Sequence, residues 1–331
     1  MRGSAGLTGA RGAFSLIELL VVVAVIVLLI AILLPTLSTA RALGRQTVCG
    51  GNLHALGQAM AAYAREYDDY LPGSPNTSGN GANPGGVGWP VYGGYYAWNS
   101  TRDAWPAVHI FDWASPLLAM MVTDVPADIP ERYDQSKRWA FRCPANQWRA
   151  FLNHASRINI ETYVSSYATC RYFTYVPVSR RTGFGPGTLF WSHPFVPDGH
   201  FPRLDNLANP SWKVFLADAC KIDRGNPQRM SNVDYSYTTH GAWLDEEDVE
   251  TESPSLSYRF RSGRREAFRH LDGLNMLFFD GHVEHQPDGP SDADEGLGSG
   301  ARQARFWFPS GTDTGLLPSA SAFSNARSIV P

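Results

Sequence analysis

Four side chains near the C-terminal end have residue types that could bind a metal ion or transfer protons. They are His270, Asp280, His282 and His285, and imidazole and carboxylate groups are common zinc ligands. The alternative is structural, with His270 and Asp280 hydrogen-bonded within the turns of a sheet. No cysteine joins the four, and side chains three residues apart on a strand point to opposite faces, so His282 and His285 would diverge. The pattern therefore favours the structural role and predicts no metal site.

Four cysteines form a second group with potential chemistry: Cys49, Cys143, Cys170 and Cys220. In a domain exported from the cytoplasm such residues form disulfides. Three pairings of four cysteines are possible, and the sequence does not choose among them. Four free buried thiols are the alternative.

The remaining sequence predicts a protein that is not an enzyme. No catalytic triad, phosphate-binding glycine loop or zinc-protease motif occurs in its 331 residues. A net charge of -3 without a block of Lys or Arg argues against a nucleic-acid partner. We predict no cofactor, although the acidic stretches 245–252 and 288–295 leave calcium open as a ligand. A membrane-bound hydrolase that uses the histidines is the weakest alternative.

An apolar run near the N-terminus determines on which side of a membrane the rest of the chain would lie. Residues 14–34 are apolar at all but two positions, one of which is Glu18, and as a helix they would span roughly 30 Å, one bilayer core. Arg2 and Arg11 precede the run, so the positive-inside rule predicts a cytoplasmic N-terminus and a translocated body. The run ends at Pro35 without a small-residue cleavage site, which favours a retained transmembrane helix over a secretory signal peptide.

A carboxylate inside this run needs a partner, because its insertion costs on the order of 2.5–3.5 kcal/mol. The segment from Gly12 to Leu20, Gly-Ala-Phe-Ser-Leu-Ile-Glu-Leu-Leu, closely resembles the class III signal of type IV prepilins and type II secretion pseudopilins. The resemblance implies that a prepilin peptidase cuts between Ala13 and Phe14 and methylates the new N-terminus. Cleavage after Gly12 stays open, because Ala13 stands where the family usually has Gly.

The resemblance also implies how the protein assembles. Glu18 would neutralise the α-amino group of a neighbouring subunit, and Pro35 would bend the helix. The implied partners are a prepilin peptidase, other pilin or pseudopilin subunits, an inner-membrane assembly platform and the membrane itself. We therefore predict a single-pass inner-membrane protein with a periplasmic head, which serves as a structural or assembly subunit of a type II secretion or type IV pilus-like system.

The fold class predicted for the whole chain is α+β. Apolar residues at helical spacing follow Pro35, with a weak point at Gly50-Gly51, and short β-branched and aromatic runs then predict strands. A long N-terminal α-helix, membrane-spanning in its first half, would precede an antiparallel β-rich head, and the resemblance makes this architecture pilin-like. The predicted divisions are a leader peptide at 1–13, a transmembrane helix at 14–35, an amphipathic continuation at 36–71, a Gly/Asn/Pro-rich loop at 72–104, the head at 105–290 and a C-terminal tail at 291–331.

A second resemblance covers residues 270–281. Nine residues separate His270 from Asp280-Gly281, as in the C-terminal H-x9-DG motif of a large-headed subgroup of the same proteins. Asp-Gly pairs at both ends predict tight turns. The apolar residues 274–279 between them predict a central strand covered on both faces, within a three-stranded meander.

The same subgroup resemblance bears on the cysteines. The stretches around Cys49 and Cys143 resemble the subgroup, whereas Cys170 and Cys220 stand as additions to it. The resemblance therefore implies two disulfides, Cys49 with Cys143 and Cys170 with Cys220.

The runner-up function is a membrane-anchored binding module. In that case the helix would be only a tether, and aromatic side chains of the head would stack on sugars or peptides. The tryptophans considered for this role are Trp98, Trp105, Trp113 and Trp191. Aromatic residues more often fill a core, which makes this the less favoured interpretation.

Overall fold

The structure is a computed structural model in which the chain divides into two compact units, residues 1–44 and 45–331. It describes residues 15–73, 113–125, 135, 138–146, 149–154, 158–163, 166–179, 192–193, 196–218, 221–223, 229–230, 238–239, 260–262, 269–271, 273–287, 304–313 and 329–331. The predicted leader, Phe14 and nearly all of the predicted loop at 72–104 lie outside these ranges.

One long helix, α1, runs from Leu16 to Glu66 and contains 51 residues. It continues through Pro35 and through Gly50-Gly51, where a weak point was predicted. It ends where Asp68 and Asp69 adopt left-handed backbone angles, with φ of 49° and 62°, a conformation that Asp tolerates better than most residues. The predicted transmembrane and amphipathic segments therefore belong to a single helix.

The N-terminal part of α1 is apolar and exposed. By length and composition α1 is able to cross a membrane, and none of its most apolar window is buried. Ala and Leu favour helix formation, and the many β-branched residues of this stretch are also accepted in an apolar span. The prediction of a long apolar N-terminal helix is confirmed.

The described part of the second unit contains short strands and, besides the C-terminal part of α1, the short helices α2 (Ala114–Met121) and α3 (Ala304–Trp307). The strands are β1 (Arg149–His154), β2 (Ile158–Tyr163), β3 (Tyr167–Cys170), β4 (Val176–Pro177), β5 (Ser192–His193), β6 (Val214–Asp218), β7 (Lys221–Asp223), β8 (Arg229–Met230), β9 (Thr238–Thr239), β10 (Phe260–Ser262), β11 (Gly273–Phe278) and β12 (Val283–Pro287). A helix followed by a small sheet confirms the α+β class.

The largest sheet has five strands in the order β12-β11-β6-β3-β9. Its first four strands pair antiparallel, and β9 joins β3 in parallel. Two further parallel pairs, β1 with β8 and β4 with β5, lie outside this sheet. The main sheet is thus mostly antiparallel, as predicted, and the parallel pairs are an addition that the sequence did not predict.

Strands β6 and β11 form the centre of the core. Both are buried at every position, and the C-terminal part of α1 packs over β11. The two elements lie close together at Gly57, where an added Cβ atom would lie 2.9 Å from Cδ1 of Leu277. Burial of the apolar face of α1 against this sheet contributes stability in proportion to the apolar area removed from water. The predicted central strand is therefore confirmed.

The predicted three-stranded meander is wrong. Strand β11 pairs with β12 in a hairpin, but its other neighbour is β6, more than fifty residues earlier in the chain. Residues just before β11 turn back on themselves, since His270 and Gly273 exchange backbone hydrogen bonds of 3.2 and 3.0 Å and Leu271 has a φ of 51°. Strand β6 therefore occupies the edge of β11 where the third strand of the meander was predicted.

The predicted C-terminal tail contributes to the core. Phe306, Trp307 and Phe308 are buried, and the Phe308 ring stacks on Tyr172 at a centroid distance of 4.8 Å. Backbone hydrogen bonds join Gly311 and Thr312 to Val330. Part of this segment is thus integral to the head.

Candidate functional site

Four reactive side chains from separate segments meet inside the head. Cys49 lies on α1, Cys143 follows a short 3-10 helix, Asp218 ends β6, and His270 lies in the turn before β11. All four are buried, and one ligand atom from each lies within 4.8 Å of the others. We call this group the thiol–histidine cluster.

Short contacts connect the members of the thiol–histidine cluster. The Cys49 Sγ donates to Asp218 Oδ1 at 3.1 Å, and Cys143 Sγ lies 3.1 Å from His270 Nε2. The same imidazole nitrogen is 3.5 Å from Asp218 Oδ2. Two sulfurs, one nitrogen and a carboxylate therefore face one small volume.

Three neighbouring residues hold the cluster in place. The hydroxyl of Tyr167 lies 3.2 Å from Cys49 Sγ, and the backbone N–H of Asn275 donates to Asp218 Oδ2 at 2.7 Å. The guanidinium of Arg269 is 3.3 Å from Asp218 Oδ1 and donates to the Ser166 carbonyl at 2.6 Å. These contacts fix the orientation of the carboxylate and place a positive charge beside it.

The two thiols have opposite acidities. Burial raises the pKa of Cys49 well above its usual value, and its hydrogen bond to Cys143 raises it further. Burial acts in the same direction on Cys143, but hydrogen bonds from Cys49 and His270 and the charge of Arg269 lower its pKa to about 4. Burial also raises the pKa of Asp218, while Arg269 opposes that rise. Cys143 is therefore the more acidic thiol of the pair.

The four residues predicted as a possible cluster do not come together. Asp280 lies at the opposite end of β11 from His270, where its Oδ1 accepts from the His282 backbone N–H at 3.1 Å and lies 2.5 Å from its Nδ1. His285 contacts Asn275 instead, with Nδ1 3.2 Å from the amide oxygen. Asp280 thus has the predicted local role in a turn, helped by Gly281, whose φ is 92°.

The expectation that no cysteine joins these residues is wrong for His270. Its imidazole contacts Cys143, which lies 127 positions earlier and is brought there by the fold. The predicted Cys49–Cys143 disulfide also differs from the structure, where both are free thiols. The reason is that each sulfur has a hydrogen-bonding partner in the cluster. The Cys170 side chain and Cys220 lie outside the described residues, as do both acidic stretches.

Sequence analysis assigned no role to Asp218, Tyr167 or Arg269. A signal for Asp218 did exist, because an acid directly follows the buried apolar residues Val214 to Ala217 in one strand. Such an acid at the end of a buried strand requires a partner. Nothing local marks Tyr167 or Arg269, since their significance arises only from long-range pairing.

Glu18 has a local partner at the start of α1. Its Oε2 accepts from the Ser15 backbone N–H at 2.8 Å, and Ser15 Oγ accepts from the Ile17 N–H at 3.3 Å. The sequence Ser-x-x-Glu with these reciprocal bonds is a capping box. Glu18 therefore stabilises the first turn of the helix, a role that the sequence interpretation missed.

Comparisons of this chain with family models, curated proteins and solved structures find no match.

Proposed function

We propose that the protein is a membrane-anchored structural subunit of a pseudopilin-like assembly, in a type II secretion or type IV pilus-like system. The observation that carries this proposal is the N-terminal part of α1, where an uninterrupted apolar run from Leu19 to Leu34 is exposed on all faces. A helix that is apolar all round suits a bilayer or a bundle of similar helices. In a pseudopilin such helices lie in the membrane before assembly and pack together afterwards.

The position of Glu18 adds to this proposal. It lies one turn into the helix, next to the predicted cut between Ala13 and Phe14. After the cut, the new α-amino group of one subunit and the Glu18 carboxylate of its neighbour would be opposite charges at the same membrane depth. Pairing offsets the cost of burying each charge, and an incorrect stagger between subunits would leave both unpaired.

The head suits a structural role better than ligand stacking. Trp113, one of the tryptophans considered for binding, is buried and packs against Phe141 and Phe215. Trp98, Trp105 and Trp191 lie outside the described residues. Of the four tryptophans considered for binding, the one that lies within the described residues is therefore a core residue.

Processing by a prepilin peptidase tests the proposal. The full chain is co-expressed with an active peptidase and, in parallel, with a catalytically inactive one, and the N-terminus is identified by mass spectrometry. We expect N-methylated Phe14 only with the active enzyme, while a start at Met1 in the inactive control would show an unprocessed leader. A Met1 start with the active enzyme, or a cut beyond Leu34 with either, would contradict the proposal.

A further inference from the structure

We propose that Cys49, Cys143, Asp218 and His270 bind one zinc ion, a site that goes beyond the assembly role proposed above. The inference begins with geometry. In a tetrahedral zinc site, with metal bonds of about 2.0–2.3 Å, neighbouring ligand atoms lie roughly 3.3–3.8 Å apart. Three contacts of the cluster, at 3.1, 3.1 and 3.5 Å, are close to these values, and all four ligand atoms lie within 4.8 Å of one another, so side-chain movements of about 1 Å would form the tetrahedron.

The donor atoms select the metal. Thiolate sulfur and imidazole nitrogen bind zinc well, whereas calcium and magnesium require oxygen ligands. Four protein ligands also complete the tetrahedral coordination that structural zinc sites use. All four residues are buried, with exposed fractions of 0–1%. The site is therefore suited to a structural ion and not to a catalytic one with an open position for water.

Charge balance supports a divalent ion. Two thiolates and the Asp218 carboxylate would carry three negative charges, and zinc together with Arg269 would carry three positive charges. Arg269 already lies beside the carboxylate, at 3.3 Å. Without zinc, Cys49 keeps its proton and donates it to Asp218, and zinc binding would release that proton. Zinc and Arg269 would then balance the three negative charges.

Contacts around the cluster resemble those that orient metal ligands elsewhere. Tyr167 and the Asn275 N–H contact the Cys49 sulfur and the Asp218 carboxylate, and such outer contacts hold ligands in position. The Nε2 atom of His270 faces Cys143 and Asp218, and these two contacts hold the imidazole on the cluster side. Among the described residues its Nδ1 has no hydrogen-bond partner, so the outer contact that zinc-bound histidines usually make is missing for this ligand.

The zinc ion would join parts of the head that are far apart in sequence. Cys49 belongs to α1, Asp218 to β6, and Cys143 and His270 to turns beside the sheet. Binding free energy at a site that exists only in the folded state adds to folding stability. Zinc would therefore cross-link the C-terminal part of α1 to the sheet.

A disulfide between Cys49 and Cys143 is the competing chemistry, because it would consume both sulfur ligands. The test therefore uses full-length protein in detergent, purified anaerobically and without chelator. In one sample the thiols are blocked in the cells by an alkylating agent before purification, and in a second sample they are left free. The first sample reports disulfides by peptide mass spectrometry. The second reports zinc by elemental analysis.

We expect about one zinc ion per chain and no Cys49–Cys143 disulfide. Cys143→Ser and His270→Ala should each lose zinc, whereas His282→Ala, which removes an exposed histidine of the same motif, should retain it. Because the ligand variants could misfold, the wild type is also stripped of metal and titrated with Co²⁺. Sulfur-to-cobalt charge-transfer absorption and intense visible bands of tetrahedral cobalt are expected.

Three results would overturn the zinc site. They are a Cys49–Cys143 disulfide in the alkylated sample, an absence of zinc together with no tetrahedral cobalt spectrum, and zinc retained equally by both ligand variants. None of these results depends on peptidase processing or on assembly. Failure of the zinc site would therefore leave the proposed function standing, and the converse also holds.

Discussion

The two ends of α1 show how one helix can carry apolar residues for two different purposes. From Leu16 to Leu34 the large apolar side chains are exposed, whereas Leu53, Leu56 and Met60 are buried in the head. The first stretch is apolar at every position except Glu18, whereas in the second the large buried apolar residues recur at spacings of three and four. A helix that is apolar on every face is typical of a segment surrounded by lipid or by other helices. A helix with apolar residues at spacings of three and four is typical of one that packs one face on its own domain.

The comparison is tested most strongly by the same substitution made at both ends. Leu53→Ala removes a side chain with 0% exposure, and Leu29→Ala one with 54%. We expect Leu53→Ala to lower the free energy of unfolding of the head by about 2–5 kcal/mol through a cavity. Leu29→Ala should change it by less than about 0.5 kcal/mol. Denaturant titration of the full chain in detergent, followed by tryptophan fluorescence, measures the unfolding free energy of each variant. Equal effects would contradict the distinction between an exposed and a buried part of α1.

The pH dependence of the head provides the next test, through a buried histidine. Burial lowers the pKa of His200 to about 4, with the nearby charge of Lys213 acting in the same direction and the hydrogen bond to the Phe173 carbonyl opposing it. The unfolded state, with a histidine pKa near 6.5, binds a proton first as pH falls. Stability from this residue is therefore present above about pH 6.5 and is lost as pH falls towards 4, by roughly 3 kcal/mol in all.

A matched variant isolates that contribution. His200→Gln keeps a side-chain N–H donor but cannot titrate, so the slope of unfolding free energy between pH 6.5 and 4 should become shallower than in the wild type. Urea titrations at several pH values measure the slope. An unchanged slope would show that His200 is not the group responsible.

A smaller effect is expected at the close contact between α1 and β11. In Gly57→Ala the new Cβ would lie 2.9 Å from the Leu277 side chain, and such overpacking costs about 1–3 kcal/mol, partly offset by about 1 kcal/mol of helix propensity. Gly44, in the exposed part, has nothing within 4 Å. Gly44→Ala should therefore be neutral or slightly stabilising. Thermal unfolding of the two variants measures this difference. Equal melting temperatures would show that the contact of Gly57 with Leu277 is not tight.

The sequence was most informative where physical signals are local. The apolar run of α1 predicts a long helix, and the apolar residues after Asp272 predict a buried strand, because continuous burial needs continuous apolar sequence. The turn at Gly281 follows from a residue type that accepts positive φ. Such features depend on neighbours in the chain.

The remaining features depend on pairing between distant residues. Nothing near β11 indicates that β6 is its partner, because an apolar strand can pair with any other. The same holds for the thiol–histidine cluster, where Cys49 and His270 are brought together only when α1 packs on the sheet. His270 was therefore assigned to a motif with Asp280, although the two residues lie at opposite ends of one strand.

Glu18 decides between assembly and a purely local role. Glu18→Gln keeps a capping-box side chain but removes the charge, and Glu18→Ala removes both. Glu66→Gln, which removes an exposed carboxylate at the other end of the same helix, is the matched control. All three variants should remain in the membrane fraction after alkaline extraction.

The most direct measurement is cross-linking of the full chain to itself and to its assembly partners in membranes of cells that contain an active prepilin peptidase. The account predicts that Glu18→Gln and Glu18→Ala both lose the cross-linked species, while the wild type and Glu66→Gln retain them. If Glu18→Gln assembles as well as the wild type, Glu18 acts only as a helix cap, and the proposed charge pairing between subunits is contradicted.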